Sequence, residues 1–513
     1  PTISIPQNPI AYFCAEYAIE ENTLMYAGGL GILAGDYLME MADKNMPFIA
    51  IGLNYDPGNL KDFAIFSHQG KSAVVSIPIG EHLIYAQIWH RRFAENTHVF
   101  LLDTNFEKND DKHRNITSHL YDPHFYTRVK QQIVLGIGGI KFLKLLDIHP
   151  SVYHLNEGHT AFAGVGVLVE RNEDIGKIVG TKHTILSAAG LYIPKKDFFV
   201  LLNTYCKEFG VDINEIFEKG KYELDPDTFS TTKLVMTTSK IKNSVSALHA
   251  VFEKIRHPHS ELISITNGVY RKRWQVKEFI TRNHDVSSKE IWEIKKKLRI
   301  GLADYIRESL GKKLNPDVCT VVWARRFAAY KRPFLLFSDY ERVKKIIRNQ
   351  ENPVQFVIAG KAHEADGEGQ EIIKKIMEIS EDPETMGRVI YIPNYSVAIS
   401  HELVKGADVW LNTPERGKEA CGTSGMKASL NGALQCSISD GWVDEVNWAN
   451  RGWILPEENT AQVLYDLLEH EILPCFYAES SEGSRQNWTE KMQSTMELVE
   501  KSYTTSKMLD NYL

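Results

Sequence analysis

The segment EACGTSGMKASLNG, residues 419–432, sets a lysine amine next to a glycine-rich turn. Glycines in such a turn admit positive φ and let a ligand approach the backbone closely. Backbone N–H groups at the start of a following helix bind phosphate well. Lys427 stands five residues beyond Gly422. An amine for an aldehyde and a cradle for a phosphate are what a pyridoxal phosphate site needs. On spacing alone, an ordinary strand-to-helix turn with a surface lysine is the favoured reading.

A second segment, ARRFAAYKR at 324–332, follows directly on the apolar run 318–323. Arg325, Arg326, Lys331 and Arg332 put four cations into eight residues. Arginine suits bidentate contact with phosphate, and a strand's carboxyl end is where such a contact is useful. A solvated basic loop is the alternative. A third segment, YAGGLGILAGD at 26–36, has Gly28, Gly29 and Gly31 ahead of a helix-like stretch. GGLG alone fits any tight turn. In a nucleotide-binding-like domain it becomes an anion-binding helix start.

The elements that must position these residues alternate along the chain. Apolar runs at 10–16, 47–54, 98–103, 151–155, 178–182 and 261–265 read as buried strands. Stretches 29–44, 121–146, 160–171 and 240–255 read as helices. This alternation predicts a parallel sheet covered on both faces. Segments 71–79 and 82–93, separated by Gly-Glu, predict a hairpin inserted in the first domain. A second alternation has strands at 318–323, 354–359, 388–392, 408–411 and 434–438. A polar connector at 276–288 leads into a long helix, with Ser287 and Glu290 as its capping box and Gly311 as its end. The expected layout is a first Rossmann-like domain over 1–275 and a second over 276–483. Residues 484–513 form a helical stretch that crosses back to the first domain. The two α/β domains face each other, and the site falls in the cleft between them.

Composition is consistent with this. The 513 residues suit two or three domains, and 43% hydrophobic against 24% charged residues is the balance of a soluble globular chain. A net charge of −7 asks for neither nucleic acid nor an anionic membrane. Cys14, Cys206, Cys319, Cys421, Cys436 and Cys475 form no CxxC pair, so free thiols are expected, with no zinc site and no disulfide framework. No apolar run is long enough to span a membrane, and the N-terminal residues have no signal-peptide pattern. A cytoplasmic protein is the expectation.

Together, in this order, the three segments resemble the α-glucan (glycogen, starch, maltodextrin) phosphorylase family. HLNEGHTAF at 154–162, TKHT at 181–184, SALH at 246–249, ITNGVYRKRW at 265–274, FVIAGKAH at 356–363 and NYSVAIS at 394–400 resemble further blocks of it. The likeness spans roughly residues 11–453 and is greatest to the short bacterial and archaeal-type members. It implies a GT-B glycosyltransferase fold and a hexosyltransferase that uses inorganic phosphate to release glucose 1-phosphate from α-1,4-glucan, with retention. It implies pyridoxal 5′-phosphate on Lys427, with Thr423, Ser424 and Arg325 on the cofactor phosphate and Tyr395 and Trp274 near the ring. Arg326 and Lys331 match residues that hold the substrate phosphate, and the backbone at Gly28 and Gly29 matches the loop that approaches it. Asn267, His183, Glu419, Cys421, Gly422 and Leu30 match the glucosyl contacts. Glu157 and His159 match an acid–histidine pair. His159 by itself reads as a hydrogen-bonded core histidine. No metal is called for, and a homo-oligomer is compatible with the reading.

The resemblance departs at Pro393, where glutamate is usual, at Cys421, where serine is common, at Ala328, where histidine is common, and at Ala18, where an aromatic is common. Two rivals remain at this level. One is a nucleotide-sugar-dependent α-glucan synthase of the same architecture, from which Lys427 would distinguish a phosphorylase. The other is a non-catalytic glucan-binding relative, against which the retained cations Arg325, Arg326 and Lys331 argue.

Overall fold

The runs IAYF, FIAIGL, THVFLLD, CTVVWA, VQFVIA and VWLN are buried along almost their whole length. Strands covered by helices on both faces require such continuous apolar stretches. In the computed structural model the described residues are 4–512 apart from 21–22, 56–57, 59, 186–189, 257–260, 283–285, 363–365, 394 and 481–484. They form two units, one of Pro1–Val245 with His249–Ile265 and the other of Ser246–Leu248 with Thr266–Leu513.

In the first unit the sheet runs in the order Leu262–Ser264, Ile241–Ser244, Ile178–Lys182, Val152–Asn156, Ile10–Phe13, Phe48–Leu53, Thr97–Asp103 and His82–Arg92. Neighbours pair in parallel up to Thr97–Asp103. His82–Arg92 then joins antiparallel and pairs in turn with Val74–Ile79, with Gly80 at φ +64° in the tip. The expected hairpin therefore extends the sheet edge. The order reverses between Ile10–Phe13 and Val152–Asn156. The stretch 240–255 is not one helix: Ile241–Ser244 is a strand, and the helix is Ala247–Arg256. A small antiparallel sheet of Tyr192–Pro194, Asp225–Ser230 and Lys221–Tyr222 also belongs to this unit.

The second unit has the strand order Val389–Ile392, Val354–Ala359, Cys319–Ala324, Val409–Asn412, Leu434–Ile438, Gly452–Leu455, parallel throughout. This is the doubly wound order, and it reverses between Cys319–Ala324 and Val409–Asn412. The helix Ser288–Leu310 opens on the Ser287–Glu290 capping box and closes at Gly311, φ +65°. Residues 266–275 pack here and not in the first unit as expected. Val269 bridges Thr504, and the Gln275 amide donates to Leu430 O at 2.7 Å. The helices Gln486–Ser502 and Thr505–Tyr512 count with the second unit, and Trp488, Met492 and Met496 lie in its core. No helix among the described residues is long and apolar enough to cross a membrane.

Two buried cations fasten the long helix to the site-bearing elements. Arg299 donates to Asp408 at 2.9 Å, just ahead of the strand Val409–Asn412. Lys295, fully buried, donates to Lys405 O and Asn431 O, both at 2.8 Å. These carbonyls lie at helix C-termini, where a cation is favoured. Burial nonetheless pulls Lys295 down to about 7, with Asp408 opposing and Arg299 adding to the shift. A lysine lowered from 10.5 binds its proton more weakly folded than unfolded. Between pH 7 and 10.5 the unfolded chain holds more protons, so stability rises with pH in that window. From pH 7 to 9 urea denaturation is expected to show a gain in stability, and in Lys295→Met that gain should be smaller by on the order of 1–2 kcal/mol. An equal gain in the variant would assign the effect to other groups.

Candidate functional site

The carboxyl ends of the two strands at the second unit's reversal carry the cationic loop and the approach to GTSGMK. Arg325 follows Cys319–Ala324 directly and is 7% exposed. Its backbone N–H donates to Ala359 O at 3.0 Å. Its guanidinium grips Glu419 with both terminal nitrogens, one at 2.6 Å, and also donates to Asn412 Oδ1. Asn412 is held in turn by Ser437 at 3.1 Å. Burial raises the Glu419 carboxyl, but the charges of Arg325 and Lys331 outweigh it and hold it at about 2. Asp440 supports the loop from below, accepting the N–H groups of Gly417, Glu419 and Gly441 at 2.9–3.1 Å. Burial pushes Asp440 up to about 6, against those N–H groups.

The four cations of the loop divide by role. Arg332, at φ +49°, donates to the carbonyls of Thr413 and Pro414 and anchors the loop. Arg325 is engaged by Glu419. Arg326 is exposed, and Lys331 is half-buried with its carbonyl accepting from Thr413. Burial first, then the charges of Arg325 and Arg326, bring Lys331 down to about 8, with Glu419 opposing.

Gly422 adopts φ +82°, and a Cβ there would stand 2.7 Å from Glu419 Oε1, so both backbone and space demand glycine. The helix Thr423–Ser429 starts at the next residue, with Thr423 and Ser424 half-buried in its first turn. Lys427 is not a surface lysine. It is 5% exposed, with Nζ 4.2 Å from the centroid of the Trp274 ring. Trp274 is fully buried and stacked on His401 at 4.3 Å and 18°. Asn431 ties the two together by donating to the carbonyls of Lys427 and Trp274. Tyr395 is half-buried with its hydroxyl 3.4 Å from Ser400, and burial raises its pKa. Asn267 and Cys421 are buried, and burial pushes the Cys421 thiol well up. His363 and Asn394, within the motif blocks, lie outside the described residues.

The remaining residues lie in the first unit, at the carboxyl ends of its strands. Glu157 follows Val152–Asn156 with φ +74°, a strained backbone for glutamate. Its carboxylate accepts the N–H groups of Gly158 and His183 and the Thr184 hydroxyl. The His183 ring bonds Asn156, and burial lowers it to about 3, so it is neutral at physiological pH. His159 is buried as expected, but its Nε2 has no hydrogen-bond partner among the described residues. Gly29 is exposed and Leu30 half-buried at the start of the helix Gly29–Asp43. The Gly28 N–H is not open to a ligand, because it donates to Glu16 at 3.2 Å.

Sequence reasoning missed Glu16, Asn412, Asp440 and Asn431. Each is a single polar residue in or just beyond a strand or helix end, and that position is the only signal they carry.

A sequence model of the family described as carbohydrate phosphorylase matches residues 260–449. The chain is 31% identical, over 99% of its length, to a maltodextrin phosphorylase of Thermococcus litoralis and covers 70% of it. It is 32% identical, again over 99%, to a glycogen phosphorylase of Aquifex aeolicus and covers 86% of that protein. Among solved structures, the catalytic domain of starch synthase IV from Arabidopsis thaliana, bound to ADP and acarbose, superposes with a TM-score of 0.73. That match is 16% identical and covers 99% of this chain and 98% of the other, which identifies the GT-B glycosyltransferase fold. With near-full-length relatives above 30% identity, the chain belongs to the carbohydrate phosphorylase family.

Proposed function

We propose that this chain is an α-1,4-glucan phosphorylase that transfers a glucosyl unit from maltodextrin, glycogen or starch to inorganic phosphate. The observation that carries the reading is the buried amine of Lys427 on the face of Trp274, beside a helix that starts at left-handed Gly422. A synthase needs no amine to hold an aldehyde cofactor. The donor set suits pyridoxal 5′-phosphate: Lys427 for its aldehyde, Thr423, Ser424 and Arg325 for its phosphate, and Trp274 and Tyr395 beside its ring. When bound, the cofactor supplies a phosphate group that supports proton transfer at the substrate phosphate.

The chain's own residues account for the rest. Arg326 and Lys331 bind the oxygens of inorganic phosphate, and Lys331 is mostly cationic at neutral pH. A Cβ at Gly28 or Gly29 would meet no atom of the described residues within 4 Å beyond its chain neighbours and its own helix's backbone, which leaves the Gly29 backbone room to lie against a phosphate. His183, Asn267, Glu419, Cys421, Gly422 and Leu30 contact the glucosyl unit. Neutral His183 serves as a hydrogen-bonding partner and not as an acid, and ionised Glu419 accepts from sugar hydroxyls. The substrate phosphate gives its proton to the glycosidic oxygen. The anomeric C–O bond breaks, the shortened glucan leaves as an alcohol, and a phosphate oxygen bonds the anomeric carbon on the same face. Dense cations and N–H dipoles offset the repulsion between two neighbouring phosphates. Six free cysteines support a reducing, cytoplasmic setting.

Two measurements test this. Purified protein should absorb as a lysine-linked pyridoxal, and borohydride should fix the cofactor to Lys427 by mass spectrometry. Maltodextrin with phosphate should yield glucose 1-phosphate. Extension of maltodextrin from UDP- or ADP-glucose, with no modified lysine, would instead favour a synthase.

A further inference from the structure

Glu16 lies just beyond the strand Ile10–Phe13, at the reversal point of the first sheet, and is 3% exposed. Its Oε2 accepts the N–H groups of Ala27 at 2.7 Å and Gly28 at 3.2 Å. Its Oε1 accepts the Tyr121 hydroxyl at 2.6 Å. The backbone around it is laced to the same loop, with Tyr17 N–H on Met25 O at 3.0 Å and Ala18 N–H on Gly31 O at 2.8 Å. Gly31 leaves room for the carboxylate, since a Cβ there would come within 2.8 Å of Glu16 Oε2 and 2.6 Å of Tyr26 Cβ.

The helix Gly29–Asp43 has no side-chain cap of its own at Gly28. Glu16 takes that part from a distance, satisfying the two N–H groups just before the helix. The next donors, at Gly29 and Leu30, belong to the exposed turn. Burial pushes the Glu16 carboxyl up, and the Tyr121 hydroxyl and the loop N–H groups pull it back. Tyr121 is itself 43% exposed and held at φ +52°, a backbone an aromatic seldom adopts unless something fixes it.

We propose that Glu16, capped by Tyr121, is the positioning residue of the glycine loop: it sets the direction of the Gly29 and Leu30 N–H groups without touching substrate. The functional consequence rests on the reading of that loop as the one facing inorganic phosphate. A misdirected loop costs phosphate binding and turnover while leaving glucan binding largely alone.

The variants are Glu16→Gln, which keeps the size but cannot accept on both sides, and Tyr121→Phe, which removes only the hydroxyl that donates to Glu16. Amide hydrogen exchange across residues 27–31 and phosphorolysis kinetics are measured on both. Glu16→Gln should raise the KM for phosphate and lower kcat, each by about tenfold, as for a small misplacement of a preorganised group. The KM for maltodextrin should move less than about twofold, and faster exchange should be confined to 27–31. Tyr121→Phe should shift the same quantities less. Unchanged exchange at 27–31, or acceleration spread over the whole unit, overturns the proposal. So does a maltodextrin KM that moves in step with the phosphate KM. If the wild-type chain performs no phosphorolysis, the phosphorylase reading falls, and the exchange data alone then decide the role of Glu16.

Discussion

Lys427→Ala is expected to abolish tight cofactor binding and, with it, phosphorolysis by several orders of magnitude. The side chain removed is buried, and its amine lies over the indole of Trp274. Loss of a covalent link cannot be offset by the phosphate contacts of one short turn once the protein is dialysed. The fold should survive, because Asn431 bonds the backbone carbonyl at 427 and not the amine, and Trp274 keeps its stack on His401. Taking an amine out of a buried site also removes a desolvation cost. Lys427→Arg serves as the companion variant, since it retains the cation without a group that condenses with an aldehyde. Cofactor per chain after dialysis, thermal denaturation and phosphorolysis rate give three separate readouts. A Lys427→Ala protein that still holds cofactor and turns over glucan would move the cofactor elsewhere and take the proposed function with it.

The parallel strands were legible in the sequence because helices cover both faces and nearly every residue is apolar, as in VQFVIA and FIAIGL. Ile241–Ser244 was not. Its Asn243 and Ser244 are buried, and the Asn243 carboxamide accepts from Thr181 at 2.7 Å. Side-chain hydrogen bonding satisfies a polar strand in a way hydropathy cannot signal, and the amphipathic helix three residues on absorbed it. The small sheet pairs Asp225–Ser230, whose first half is exposed and polar, with strands of only three and two residues, too short for a period of two to register. In the site, Lys427 and the cationic loop were legible because their chemistry is local. Their partners were not. Arg325 meets Asn412 from 87 positions away and Glu16 meets Tyr121 from 105. Nothing in the spacing of a lone Asp440 announces that it will collect three N–H groups at a strand's end.

Lys331→Met should leave the cofactor in place and lower activity by on the order of a hundredfold or more, the loss seen when one preorganised electrostatic contact to a reacting anion is removed. Methionine keeps much of the side chain's bulk. The loop should hold, because Thr413 bonds the Lys331 carbonyl and Arg332 anchors the loop through the carbonyls of Thr413 and Pro414. The charge removed is one that burial and Arg325 already disfavour, so stability should not fall with activity. The deficit should appear in kcat as well as in phosphate KM, since charge on the bound phosphate changes on the way to the transition state. pH gives an independent signature. The phosphate-binding form is the ammonium, and its pKa is brought down to about 8. In the wild-type chain kcat/KM for phosphate should therefore decline as pH rises through about 8. Lys331→Met, with nothing to titrate there, should lose that limb, and Lys331→Arg should carry its charge past it. A Lys331→Met enzyme with near-normal kinetics and an intact alkaline limb would show that the substrate phosphate sits elsewhere, even if Lys427 holds the cofactor as proposed.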